Sequence, residues 1–101
     1  MNLYEKISED VKSSLKSKNS ERVSTLRLIL SSINNERLKS KSGTVNEDTV
    51  ISILKTAEKQ RLESISAYKA GNRLDLVATE EKELEIIREY LPKMLNDEEI
   101  R

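Results

Sequence analysis

Cysteine and histidine are both absent from this sequence of 101 residues. Without cysteine, the chain has no disulfides, no thiolate nucleophile and none of the usual structural zinc sites. Without histidine, it lacks the commonest general base and metal ligand, so its serines have no imidazole to activate them. The residue inventory therefore predicts no catalytic residues, no metal site and no cofactor.

Glycine and proline are scarce, with two and one residues, and three tyrosines are the only aromatic residues. Two glycines are too few for a glycine-rich phosphate loop, and three tyrosines offer little surface for stacking nucleic-acid bases. Hydrophobic and charged residues each make up 36% of the chain. This composition is typical of long amphipathic helices around a lean aliphatic core, so we expect an all-α fold.

The sequence also lacks a long apolar run and a net charge. No apolar run approaches the roughly 18 residues of a membrane-spanning helix, so we expect no membrane partner. The 18 basic and 18 acidic residues balance, and no overall charge attracts the chain to nucleic acid. Glu5, Glu9 and Asp10 argue against a signal or transit peptide, and we expect a cytoplasmic protein.

Helical periodicity and capping residues predict four helices, with a long antiparallel hairpin formed by the third and fourth, in a bundle-like domain. The predicted capping residues are Asn2, Ser20, Asn46 and Asn72. The predicted core-facing stripes are Leu3, Ile7, Val11 and Leu15; Val23, Leu26, Ile29, Leu30 and Ile33; Val50, Leu54, Ala57, Ile65 and Tyr68; and Leu74, Val77, Leu84, Ile87 and Leu91. Gly71 is the expected left-handed stop of the third helix, and Pro92 ends the fourth.

Beyond Pro92 the sequence shows the start of another helix. Asn96 is a capping residue, and the three acidic residues that follow it favour the positive end of a helix dipole. The sequence ends at Arg101, after barely one turn. We therefore expect a bundle domain at residues 1–92, followed at 93–101 by a linker and the stub of a fifth helix.

Charge is unevenly distributed along the chain. Residues 1–41 hold nine basic and five acidic residues, whereas residues 75–101 hold four basic and nine acidic ones. One interpretation is an acidic fourth helix packed on more basic neighbours; the other is a basic outer face that meets RNA or an acidic partner. For the second interpretation the candidate contacts are Lys12, Lys16, Lys18, Arg22, Arg37 and Lys39.

A charged residue interrupts the apolar stripe on each arm of the hairpin. Arg61 lies ten residues before Gly71, and Glu81 lies ten residues after it, at the same height in an antiparallel hairpin. We predict an ion pair between Arg61 and Glu81 or its neighbour Glu80. Arg27 flanks the apolar face of the second helix and either extends its head to solvent or joins this polar network.

Three segments together resemble the GatB/YqeY-like family: STLRLILSSINNE, EKQRLESISAYKAGNRLDL and EEKELEIIREYLPKMLNDEEI. The resemblance covers essentially the whole chain from Leu3 onward. It implies an all-helical bundle followed by a smaller helical tail, of which this sequence holds only the start. It also implies a rigid joint between bundle and tail at Tyr90, Leu91 and Pro92.

The resemblance implies a link to tRNA and to the glutamine-dependent amidotransferase that acts on mischarged tRNA. The family is associated with carbon–nitrogen ligase activity that uses glutamine as amide donor, but in the amidotransferase that chemistry belongs to other domains and subunits. We therefore expect an accessory, non-catalytic module whose partner is tRNA or an amidotransferase-type complex. The alternative is a protein-interaction module without an RNA role, which binds partners or a second copy through Leu91, Met94, Leu95 and Ile100.

Overall fold

The structure is a computed structural model that describes residues 2–92. Over this range the chain forms four helices, α1 (Leu3–Lys16), α2 (Ser20–Lys39), α3 (Glu47–Ala70) and α4 (Leu74–Arg88), and no strand. The predicted all-α bundle with a long α3–α4 hairpin is confirmed. The predicted stub of a fifth helix, and the domain boundary placed before it, lie outside the described residues.

Asparagine side chains cap the first three helices. Asn2 accepts a hydrogen bond from the Glu5 amide at 2.8 Å, and the Glu5 carboxylate accepts one from the Asn2 amide at 3.2 Å, which is a capping box. The Asn46 side chain accepts a hydrogen bond from the Thr49 amide at the start of α3. The cap predicted at Ser20 is wrong, because Asn19 lies one residue earlier and holds the free amide of the first turn of α2.

The turn of the hairpin differs from the prediction by one residue. Gly71 has an ordinary φ of −89°, whereas Asn72 is left-handed with a φ of 59°. The Asn72 amide donates to the Lys69 carbonyl at 3.1 Å, and the Arg73 amide donates to the Tyr68 carbonyl at 2.8 Å. These two bonds form a Schellman motif centred on asparagine, which tolerates the left-handed region better than other residues with a side chain. Asn72 therefore ends α3 and does not cap α4.

The end of α1 uses the same motif with a less suitable residue. Lys18 is left-handed with a φ of 61°. Its amide donates to the Leu15 carbonyl at 3.2 Å, and the Asn19 amide donates to the Ser14 carbonyl at 2.9 Å. A left-handed residue with a Cβ costs about 1–2 kcal/mol, and lysine lacks the short polar side chain that offsets this cost in asparagine. The α1–α2 turn is therefore a strained position in the fold.

Two apolar clusters hold the helices together. The main one draws on all four helices and consists of Ile7, Val11, Leu26, Ile29, Ile33, Val50, Leu54, Ala57, Ile87 and Tyr90. The second is smaller and consists of Ile65, Val77 and Leu84, with Tyr68 packed against it. α3 and α4 alone supply the buried apolar residues of the second cluster. None of the described helices is both long and apolar enough to cross a bilayer.

Candidate functional site

Arg22, one of the six predicted contacts for RNA or a partner, instead ties α2 to the end of α4. Its Nη1 and Nη2 atoms donate to the two oxygens of Glu89 at 3.0 and 2.6 Å, and Nη2 also donates to the Tyr90 hydroxyl at 2.9 Å. The bond to Glu89 is the main reason why the pKa of Arg22 is raised. With its planar fork bound on both sides, Arg22 is a structural residue and not a free cation.

Tyr90 extends this contact to α1. Its hydroxyl donates to the Asp10 carboxylate, and only 5% of the residue is exposed. Burial and the bond to Asp10 raise the pKa of Tyr90, so its hydroxyl stays protonated across the physiological range. We call Asp10, Arg22, Glu89 and Tyr90 the latch, because they join three helices directly before Pro92.

Arg37, another of the six predicted contacts, also bonds within the bundle. Its Nη1 donates to the Tyr4 hydroxyl at 2.9 Å and to the Asn34 side-chain oxygen at 3.2 Å, while Nε donates to the Gly43 carbonyl at 3.3 Å. The guanidinium carbon also lies 5.2 Å from the centroid of the Tyr4 ring. Arg37 thus fixes the start of α1 and the α2–α3 loop.

The other four predicted contacts are exposed lysines, but they do not form one group. Lys39 lies at the end of α2, where it pairs with Glu36 at 3.6 Å. Lys12 and Lys16 lie one turn apart on α1, and Lys18 is in the turn that follows. Lys12 has a long, exposed contact of 4.0 Å with Glu9, which holds it only weakly.

Arg27 lies near Lys18 at the α1–α2 turn and extends to solvent, which was the first of our two expectations. It does not join the Arg61 network, which was the second. Arg27 is exposed, and with Lys18 it lines an open depression of about 390 Å³ between the end of α1 and the start of α2. The other lining residues are Ser14, Leu15, Asn19, Ser20, Val23 and Ser24, none of them acidic. We call Lys12, Lys16, Lys18 and Arg27 the basic corner.

The hairpin network contains Arg61 and Glu80, but Glu81 has no part in it. Arg61 Nε donates to a Glu83 oxygen at 2.9 Å, and a Glu80 oxygen lies 3.9 Å away. Glu81 is exposed and forms no ion pair with any residue that the structure describes. The predicted register was counted from Gly71, but Asn72 is the centre of the turn, and this difference moves the pairing to Glu83.

Burial, and after it the neighbouring charge of Glu83, raise the pKa of Glu80, while Arg61 acts in the opposite direction. This network is a structural feature of the α3–α4 interface. In residues 2–92, no three Asp or Glu side chains lie close enough together to hold a metal ion. The depression at the basic corner is lined by two cations and no acidic side chain, so its charge suits an anion.

The sequence did not reveal the latch, because Arg22 is 67 and 68 positions from its partners on the α4 side. One signal was present. A tyrosine on a core stripe usually finds a hydrogen-bond partner for its hydroxyl, and Tyr90 was on such a stripe. The sequence could not show which charged residue supplies that partner.

Comparisons with known proteins find several relatives that are about one third identical to this chain. A Vanderwaltozyma polyspora protein named "Altered inheritance of mitochondria protein 41, mitochondrial" is 34% identical over 88 residues, which are 87% of this chain and 48% of that protein. Its namesake in Clavispora lusitaniae is 33% identical over 101 residues, covering 98% of this chain and 58% of that protein. An uncharacterized protein of Schizosaccharomyces pombe is 34% identical over 92 residues, covering 91% of this chain and 74% of that protein.

The chain thus spans about half the length of the relatives that carry the mitochondrial name. Those names contradict the expectation of a cytoplasmic protein, which rested on the absence of a recognisable leader in the first ten residues.

A family model described as "Yqey-like protein" matches residues 4–101, which is nearly the whole chain. The match includes all of the helices that build the basic corner, the latch and the hairpin network. The chain therefore belongs to the YqeY-like protein family.

Proposed function

We propose that this chain is a non-catalytic helical module that binds RNA through the basic corner. The observation that carries the proposal is that Lys18 and Arg27 line one depression with no acidic side chain in it. Lys12 and Lys16 add two more exposed charges on α1. The family resemblance of the sequence makes tRNA the first RNA to test and tRNA-dependent amidation the setting to examine.

The chemistry of the corner suits phosphates better than bases. Lysine and arginine contact phosphate oxygens, and the hydroxyls of Ser20 and Ser24 can donate hydrogen bonds to the same groups. No aromatic side chain lines the depression, so the usual platform for stacking a base is missing there. We therefore expect binding that depends strongly on salt and weakly on sequence.

The acidic residues of α4 also favour RNA binding at the basic corner. Glu81 and Glu85 are exposed on that helix, and their charges repel phosphates. An RNA that approaches the bundle is therefore directed toward α1 and the first turns of α2.

The test is fluorescence anisotropy with labelled bulk tRNA over a range of salt concentrations. Removal of two contacts in Lys18→Ala/Arg27→Ala should lower the slope of log affinity against log salt by about 1.4–1.8. The matched control is Lys59→Ala/Lys69→Ala, which removes the same charge from exposed positions of α3. An equal effect of both double variants, or no tRNA binding at low salt, would refute the proposal.

A further inference from the structure

A second cavity is separate from the basic corner. It is an open groove of about 430 Å³ between α2 and α3. Its residues are Ile29, Ser32, Glu36, Thr49, Ser52, Ile53, Thr56, Ala57 and Gln60. Neither the proposed RNA contacts nor the latch uses any of them.

The groove has an apolar floor between short polar walls. Ile29 and Ala57 are core residues, and Ile53 is half-buried against the same cluster. The walls are short hydroxyl side chains, with Ser32 on α2 and Ser52 and Thr56 on α3. Short side chains on both walls allow a third backbone to approach closely, as in packed helix pairs with interaxial distances of 8–10 Å.

The length of the groove matches a helix. Its α3 wall runs from Thr49 to Gln60, which at about 1.5 Å per residue is roughly 17 Å, or three turns. The groove is open to solvent and encloses a small molecule only in part, whereas sites for small molecules enclose most of the ligand.

The charge of the groove indicates what kind of helix it takes. Glu36 is the only charged lining residue, and its side chain is 43% exposed. Its one contact in the described part of the chain is a solvent-exposed pair with Lys39 at 3.6 Å, which a stronger partner can replace. A carboxylate without lysine or arginine in the lining repels RNA phosphates and attracts a basic side chain.

We propose that this groove is the docking site for an amphipathic helix of a partner protein. The docking face of that helix carries small apolar side chains, which cover Ile29, Ile53 and Ala57, and one Lys or Arg lies beside Glu36. The partner helix completes a packed layer that α2 and α3 leave open, in the way that helix-in-groove recognition works elsewhere.

The test uses a synthetic helical peptide of about 14 residues with Ala and Leu on one face and one Arg near its end. It is titrated into ¹⁵N-labelled protein to about 1 mM, where even weak binding moves amide signals. We expect the moved signals to include Ser32, Glu36, Ser52 and Thr56. A matched peptide with Glu in place of Arg should bind about three- to tenfold more weakly, and the same loss is expected for Glu36→Gln with the Arg peptide.

A blocking variant provides the second measurement. Ser52→Tyr fills the groove from an exposed position and should abolish binding, whereas Ser66→Tyr, exposed on the same helix outside the groove, should not change it. Light scattering of the protein without peptide tests whether a second copy is the occupant, and a Ser52-dependent dimer would overturn the proposal of a separate partner. No moved signals, signals moved elsewhere, or equal binding of the Arg and Glu peptides would also overturn it.

Failure of this proposal and failure of RNA binding are distinguishable. Added tRNA should move the signals of Lys18 and Arg27 and leave those of Ser52 and Thr56 in place. The peptide should give the reverse pattern.

Discussion

Arg61 and Glu83 stand eleven residues on either side of Asn72, and their side chains meet at 2.9 Å. The left-handed residue at the turn therefore sets which side chains are level with each other in the hairpin. Arg61 is 14% exposed and Glu83 24% exposed, so solvent screens their bond only in part. The pair fixes the register of α3 against α4 near the smaller apolar cluster.

Glu83→Gln should lower the free energy of unfolding by about 1–2 kcal/mol, because it removes a charge-assisted hydrogen bond from a half-buried arginine. Glu81→Gln is the matched control, and its effect should stay within about 0.5 kcal/mol because Glu81 is exposed. Urea unfolding followed by circular dichroism measures both. A larger loss for Glu81→Gln would show that the hairpin pairs in the register first predicted from Gly71.

Glu80→Gln should have the opposite effect near neutral pH. The folded-state pKa of Glu80 is raised above 4.5, so its contribution to stability is present below that pH and is lost as the pH rises through the folded value. The substitution removes the buried charge and should raise the melting temperature at neutral pH. Below pH 4.5 the gain should largely disappear, since the native carboxyl is then protonated. A gain that is independent of pH would contradict this assignment.

The sequence predicted best those features of the fold that depend on contacts between residues close together in the chain. The four helices were predicted, and so were the caps Asn2 and Asn46, because each of these side chains bonds to an amide three residues away. Apolar spacing also gave most of the buried face of each helix, but Leu15 and Leu74, which it placed on that face, are 49% and 63% exposed because they lie at helix ends. The exact turn was missed because glycine and asparagine are adjacent at 71 and 72, and both tolerate left-handed geometry.

The candidate sites were predicted less well, because a cation in a sequence does not show whether it is bound. Arg22 and Arg37 have the same local character as Arg27, yet the first two are held by residues from other helices. Neighbouring positions in a helix point about 100° apart, so a shift of one position along the helix can move a side chain from the buried face to the exposed one. Only the assembled bundle shows which arginine remains available to a ligand.

Tyr90→Phe should destabilise the fold by about 1–3 kcal/mol. The substitution keeps the ring but removes the hydroxyl that joins Asp10 and Arg22, and these two groups are partly buried. Tyr68→Phe is the control, because the Tyr68 ring packs on the smaller cluster and its hydroxyl has no hydrogen-bond partner in residues 2–92. Thermal unfolding of both variants measures the difference. Equal, small shifts would mean that the latch contributes little.

Lys18→Gly should stabilise the fold while it weakens RNA binding. Glycine adopts the left-handed geometry of Lys18 without the Cβ penalty, which outweighs its extra chain entropy by about 0.5–1 kcal/mol. Lys16→Gly is the control, since Lys16 is in the last helical turn and glycine should cost about 0.5–1 kcal/mol there. Both variants remove one charge from the basic corner, so both should reduce the salt dependence of tRNA affinity in the same experiment. A stable Lys18→Gly variant with unchanged tRNA affinity would show that the charge of Lys18 does not contribute to RNA binding. The proposal that the basic corner binds RNA would then lose one of the two cations on which it rests.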